Sequence, residues 1–150
     1  MSLIKQKKYQ AYCARKEELM NVRKDIDYGK LFAAVDRAVS AALPQMELYR
    51  EIGRLICERP EKGAAGAVAK HPQSAYPDAS GFSPRHVRRT REFYRMYENA
   101  PDIMQKAMEI GWTQNVVSLE ADLSLAEREW YICATRRFDW SKLVLAEKIA

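Results

Sequence analysis

The run Gly81-Phe82-Ser83-Pro84-Arg85-His86-Val87-Arg88-Arg89-Thr90-Arg91-Glu92-Phe93-Tyr94-Arg95-Met96-Tyr97 constrains the chain more than any other stretch. Ser83 is a good N-cap residue, because its hydroxyl accepts a bond from an orphan backbone N–H of the first turn. Pro84 then takes the first helical position, where its missing N–H costs nothing. Phe82 before the cap and Val87 after it are spaced for a hydrophobic staple. At about 100° per residue, Val87, Thr90, Phe93, Tyr94 and Tyr97 gather on one face. Arg85, Arg88, Arg89 and Arg95 fall on the other, interrupted by Glu92, with Arg91 at the boundary and His86 beside it. One face is core and the other is a guanidinium row, so Phe82, Val87, Tyr94 and Tyr97 anchor the helix while Arg85, Arg88 and Arg89 project outward.

Charge sets this helix apart from an ordinary solvated face. The 150 residues carry a net +5. Residues 1–24 hold seven basic and two acidic groups, and the arginine stretch holds five Arg and one Glu. The rest of the chain is therefore mildly acidic, and two basic islands on such a scaffold have the form of a polyanion footprint. Arg suits both phosphate and guanine edges, so Arg85, His86, Arg88, Arg89, Arg91 and Arg95 are the candidate nucleic-acid contacts.

Other function classes lack their residues. Cys13, Cys57 and Cys133 are odd in number and widely spaced, and read as reduced, mostly buried thiols. His71 and His86 share no metal-ligand spacing with them, so no metal or cofactor is expected. No nucleophile–base motif is legible, and Gly63-x-x-Gly66 lacks the Lys-Ser/Thr of a phosphate loop. The chain reads as non-enzymatic, with no small-molecule substrate evident. Mean hydropathy is −0.47 and charges break the apolar runs, so no membrane span is expected. The N-terminus lacks the apolar run of a signal peptide, and a cytoplasmic protein of prokaryotic or phage origin is expected.

The coarse order of elements is helical throughout. Residues 1–27 read as a basic arm, partly helical, with core candidates Leu3, Ile4, Tyr9, Tyr12, Leu19 and Met20. Asp25 or Asp27 caps the next helix. Residues 28–59 carry Leu31, Val35, Ala38, Ala42, Tyr49, Ile52, Leu55 and Ile56 at helical spacing, with a kink or break at Pro44. Gly53 inside that pattern costs about 1 kcal/mol relative to Ala and marks close packing. Gly63 to Lys70 reads as a short, closely packed helix that Pro72 ends or restarts, and residues 76–81 as a turn. Helix, turn and capped arginine helix form a helix-turn-helix order over about 63–98, within a domain of residues 28–150. Gly111 reads as the C′ residue of a helix begun at Pro101. Trp112-Thr113 and Trp140-Ser141 each place a Trp before a capping hydroxyl. A helix with apolar Leu125, Trp130, Ile132 and Cys133 lies between them. The fold class is all-α, a multi-helix bundle with a helix-turn-helix-like unit.

These residues together resemble the amino-terminal domain of YhcG-like proteins, a domain of unknown function that usually precedes a PDDEXK-type nuclease domain. The matching residues are Tyr49-x-Glu51-Ile52-Gly53-x-x-Ile56, Tyr76-Pro77, Gly81-Phe82-Ser83-x-Arg85-x-Val87-Arg88-Arg89-x-Arg91-x-Phe93-Tyr94, Trp112-Thr113, Leu125-Ala126-x-Arg128-Glu129-x-Tyr131 and Trp140-Ser141. They run in the family's order from about residue 28 to the last residue. The resemblance implies a helical, helix-turn-helix-like domain with DNA as partner. Pro72 departs from it, falling where the family has continuous helix. The family's nuclease half needs an Asp and a Glu-x-Lys to hold a divalent metal; the residues here end before such a half, and that activity is not carried over. The expected function is a non-catalytic DNA-binding module whose helix 84–97 contacts phosphates and major-groove bases, as a homodimer or beside a nuclease partner. The alternative is a regulatory module of phage or defence type that docks on a protein through the arginine face or its helices.

Overall fold

A computed structural model describes residues 2–11, 26–75 and 82–150, and all regular structure among these residues is α-helical. They divide into two compact units, Met1–Lys30 and Leu31–Ala150. In the first, residues 3–11 form α1, whose Leu3, Ile4 and Tyr9 are exposed, so these three are not core residues there. The readings placed on Tyr12, Cys13, Leu19, Met20 and Asp25, and on the turn at 76–81, lie outside the described residues. Asp27 Oδ1 accepts from the Gly29 N–H at 2.8 Å and opens α2, Gly29–Ser40.

The second unit continues with α3 (Gln45–Cys57), α4 (Ala64–Ala75), α5 (Pro84–Tyr97), α6 (Pro101–Ala107), α7 (Trp112–Glu120), α8 (Leu125–Phe138) and α9 (Lys142–Ile149). The break expected at Pro44 is present: Ala42 takes φ +52° between α2 and α3. Pro72, by contrast, does not end α4, which runs through it to Ala75. A proline inside a helix costs about 3 kcal/mol through a lost hydrogen bond and ring crowding. Burial of Ala64, Ala65, Val68 and Ala69 against the neighbouring helices opposes that cost. Gly66 does not contribute close packing, since the space where its Cβ would stand is open.

α5 is the hub of this unit and packs on α3, α4, α6 and α7. Its tightest neighbour is α3. A Cβ on Gly53 would stand 2.2 Å from the Thr90 carbonyl oxygen and 3.0 Å from Tyr94 Cβ, so only glycine permits this approach. Thr90, fully buried there, donates its hydroxyl to the Val87 carbonyl at 2.7 Å. Phe93 and Tyr97 then pass the apolar face on to Ile103, Met104, Ala107, Ile110 and Ile132 of the following segments.

Polar side chains join the second half. Gly111 is the N-cap of α7, at φ −74°, and not the C′ residue of α6. Thr113 therefore lies inside the first turn and is not the cap. The cause is Gln114, whose Oε1 accepts from the Gly111 N–H at 2.6 Å, while Asn115 Nδ2 donates to the carbonyls of Ala107 and Gly111. Ser124 and Glu127 close a capping box on α8, and Ser141 caps α9. Arg128 is buried, and its guanidinium donates to the Ser118 and Ala121 carbonyls at the C-terminal end of α7, where unpaired carbonyls and the helix dipole favour a cation. Trp130, Leu125 and Cys133 are exposed where the apolar pattern of α8 placed core; Ile132 alone of those four is buried. Cys57 is half-buried and donates to the Arg91 carbonyl at 3.7 Å, so neither described cysteine is fully buried. His71 stacks flat on Phe32 with ring centroids 4.3 Å apart, and its Nε2 lies 2.8 Å from Asp36 Oδ1, joining α4 to α2.

Gly53→Ala tests the central contact. Alanine is the better helix former by about 1 kcal/mol, yet its methyl group would meet a backbone carbonyl in a packed interface. We expect a net loss of about 3 kcal/mol in urea unfolding. A neutral or stabilising result would show that α3 and α5 are not held this close.

Candidate nucleic-acid interface

Local sequence fixes the orientation of α5. The Ser83 hydroxyl accepts from the His86 N–H at 3.2 Å, Pro84 occupies the first turn, and Phe82 and Val87 are both buried. With Val87, Thr90, Phe93 and Tyr97 turned into the core, the arginines are sorted by position. Arg85, Arg88 and Arg95 are exposed. These three fall within about 80° of arc on a helical wheel, with Glu92 between them. Arg88 and Arg95 have no carboxylate within ion-pair distance among the described residues.

The other three candidates are placed differently. Arg89 is drawn against α7, where it pairs with Glu120; its side chain keeps 21% exposure against 80% for Arg85. Arg85 reaches the same carboxylate at 4.0 Å. Arg91 is half-buried, with its Nε enclosed and without a partner. His86 is also half-buried and not part of the outward row. Its ring meets Tyr49 edge-on at 4.4 Å and Trp112 at 5.3 Å. Burial, and then the Arg89 charge, push the His86 pKa below the usual histidine value, so the ring is neutral at pH 7.

Between α5, α7 and the start of α9 lies an open groove of about 510 Å³. Arg85, His86 and Arg89 form one wall and Trp112, Thr113, Val116, Val117 and Glu120 the other, with Lys142 at the edge. Gln114 holds this arrangement together, because its Nε2 donates to the Trp140 carbonyl at 2.6 Å and sets the start of α9 beside the start of α7. Glu120 and Lys142 carry no sequence signal, since each lies far along the chain from the arginine stretch and becomes its neighbour only through helix packing. Trp112 is legible in sequence as an entry anchor, but not as a groove wall.

Among the described residues, no group of His, Cys, Asp and Glu is placed to hold a metal ion, and no helix is long and apolar enough to cross a membrane. A family model, the DUF1016 N-terminal domain, matches residues 21–150. No curated protein and no solved structure matches the chain.

The folded-state pKa of His86 lies below that of the unfolded chain. As pH falls, the unfolded protein therefore takes up this proton first, and stability drops below the ordinary histidine value of 6.5. His86→Gln is expected to flatten the pH dependence of the urea midpoint between about pH 7 and pH 5. A slope equal to that of the wild type would contradict the buried, neutral ring.

Proposed function

The chain belongs to the DUF1016 N-terminal domain family, and from that premise we propose that it is a non-catalytic DNA-binding module whose contact surface is the outer face of α5. The observation that carries this reading is the pairing state of the arginines. Arg88 and Arg95 stand exposed on a helix anchored by four buried side chains, with no carboxylate neutralising them among the described residues. Arg85 shares the same face and is only distantly opposed by Glu120. A row of exposed guanidinium groups on an anchored helix engages phosphate oxygens, and Arg fits guanine O6 and N7 where it reaches the major groove. Arg89 belongs to the supporting layer, because its charge is engaged by Glu120. The packing of α4 on α5 supports a helix-turn-helix reading in which α5 would be the reading helix. A homodimer or an associated nuclease subunit would extend the footprint.

A second reading draws on α8. Trp130 and Phe138 are 61% and 59% exposed, and such aromatics are suited to docking on another protein. In that case the arginine face meets an acidic protein instead of DNA. Retention on duplex DNA and on heparin, compared at low and moderate salt, separates the two.

Arg85→Ala with Arg88→Ala removes two exposed charges without touching the core. We expect affinity for mixed-sequence duplex DNA to fall about tenfold or more, and the slope of log K against log salt to shrink by about 2. Unchanged affinity and slope in a folded double variant would exclude α5 as the contact surface.

A further inference from the structure

We infer that the groove between α5, α7 and α9 is a binding site for a nucleoside monophosphate unit, adjoining the duplex contact proposed for the outer face of α5 and sharing Arg85 with it. Arg85, Arg89 and Lys142 line it against the single carboxylate of Glu120, so the lining carries excess positive charge. The carboxylate of Glu120 already sits between the two guanidinium groups, paired with Arg89 and 4.0 Å from Arg85. The chain thus supplies its own oxyanion to Arg89, with Arg85 within reach of the same group. Arg on a planar oxyanion forms paired, charge-assisted hydrogen bonds, and a phosphoryl group presents the same acceptors with more charge. Phosphate displaces the carboxylate, and Lys142 at the groove edge adds the third cation.

The ligand is larger than a bare phosphate. About 510 Å³ lies in the range of small-molecule sites. Beside the cations stand the neutral His86 ring, the Trp112 indole and Val116, a wall suited to a sugar and base. His86 contributes its ring to the groove lining, while its Nε2 is enclosed in the protein and does not face the ligand. Cations beside aromatic rings form a lining suited to the phosphate and base of a nucleotide. A free nucleotide and the phosphorylated end of a strand both provide it.

Calorimetric titration of the full chain with 5′-dAMP, deoxyadenosine and inorganic phosphate tests this directly. The expected order is 5′-dAMP above phosphate, with no measurable binding of deoxyadenosine. Arg89→Gln and Lys142→Ala should each weaken 5′-dAMP by about tenfold, the loss of one charge-assisted contact. Lys142 is exposed at the start of α9, so its variant keeps the fold even if Arg89→Gln does not. Lys148→Ala, the same charge change elsewhere on α9, should leave binding intact. Glu120→Gln should tighten it, because the internal competitor is weakened. A parallel arm compares a short 5′-phosphorylated strand with its 5′-hydroxyl counterpart. A Lys142-dependent gain from the phosphate identifies a strand end as the source, and binding of 5′-dAMP without that gain identifies the free nucleotide. Absence of Lys142-dependent binding in both arms overturns the inference, as does phosphate binding as tightly as 5′-dAMP. The variants used here, at Arg89, Lys142 and Glu120, leave the proposed duplex row of Arg85, Arg88 and Arg95 intact, so failure of this site and failure of the duplex contact are distinguishable.

Discussion

The rest of the second unit depends on the contact between Gly53 and the Thr90 carbonyl. Two helices come close enough here that no side chain fits between them. The approach buries the middle of α5 and places Val87, Phe93 and Tyr97 deep in the unit, where α4, α6 and α7 gather around them. A helix so held has no freedom to rotate, and its opposite face is fixed outward by geometry. The arginine row is exposed because Thr90 is buried. Thr90 also keeps its hydroxyl satisfied within α5 through the Val87 carbonyl, so burial there leaves no orphan donor.

Electrostatics then divides the arginines by what stands opposite them. The carboxylate of Glu120 on α7 neutralises Arg89 and partly opposes Arg85, while Arg88 and Arg95 face no such group among the described residues. An exposed ion pair contributes little to stability. Its consequence here is positional, since it draws Arg89 out of the outer row and into the wall of a groove. The same packing sets His86 against Tyr49 and Trp112, and burial pushes its pKa below the usual histidine value. A stretch with uniform composition thus becomes two surfaces, one of outward-facing guanidinium groups and one where Arg89, paired with Glu120, lies beside aromatic rings.

Side-chain hydrogen bonds give the second half its precision. Gln114 bonds at once to the entry of α7 and to the chain leading into α9. Arg128 is a charge carried into the interior to satisfy the end of α7. Such a group contributes mainly by filling needs that water would otherwise fill, and its removal leaves several carbonyls unpaired. In sequence it looks like one more basic residue of α8. The three-dimensional position of α7 is what makes it structural.

Local chemistry determined much of this protein from sequence alone. Ser83, Pro84 and the Phe82–Val87 pair specify where α5 starts and which side faces inward. Ser124 with Glu127, and Ser141, do the same for α8 and α9. Pro44 breaks the long apolar pattern where it falls, and Gly53 announces a close helix contact before its partner is known. These signals are legible because caps, breaks and helical periodicity act over a few residues. Tertiary structure decided what local signals leave open. Burial of alanines carries α4 through Pro72, and Gln114 and Asn115 turn Gly111 into an N-cap. Glu120 and Lys142 join the arginines across the groove. Trp130 stays outside the core while Arg128 goes in. In each case the deciding partner lies on another part of the fold, and only the packing of helices brings it within reach.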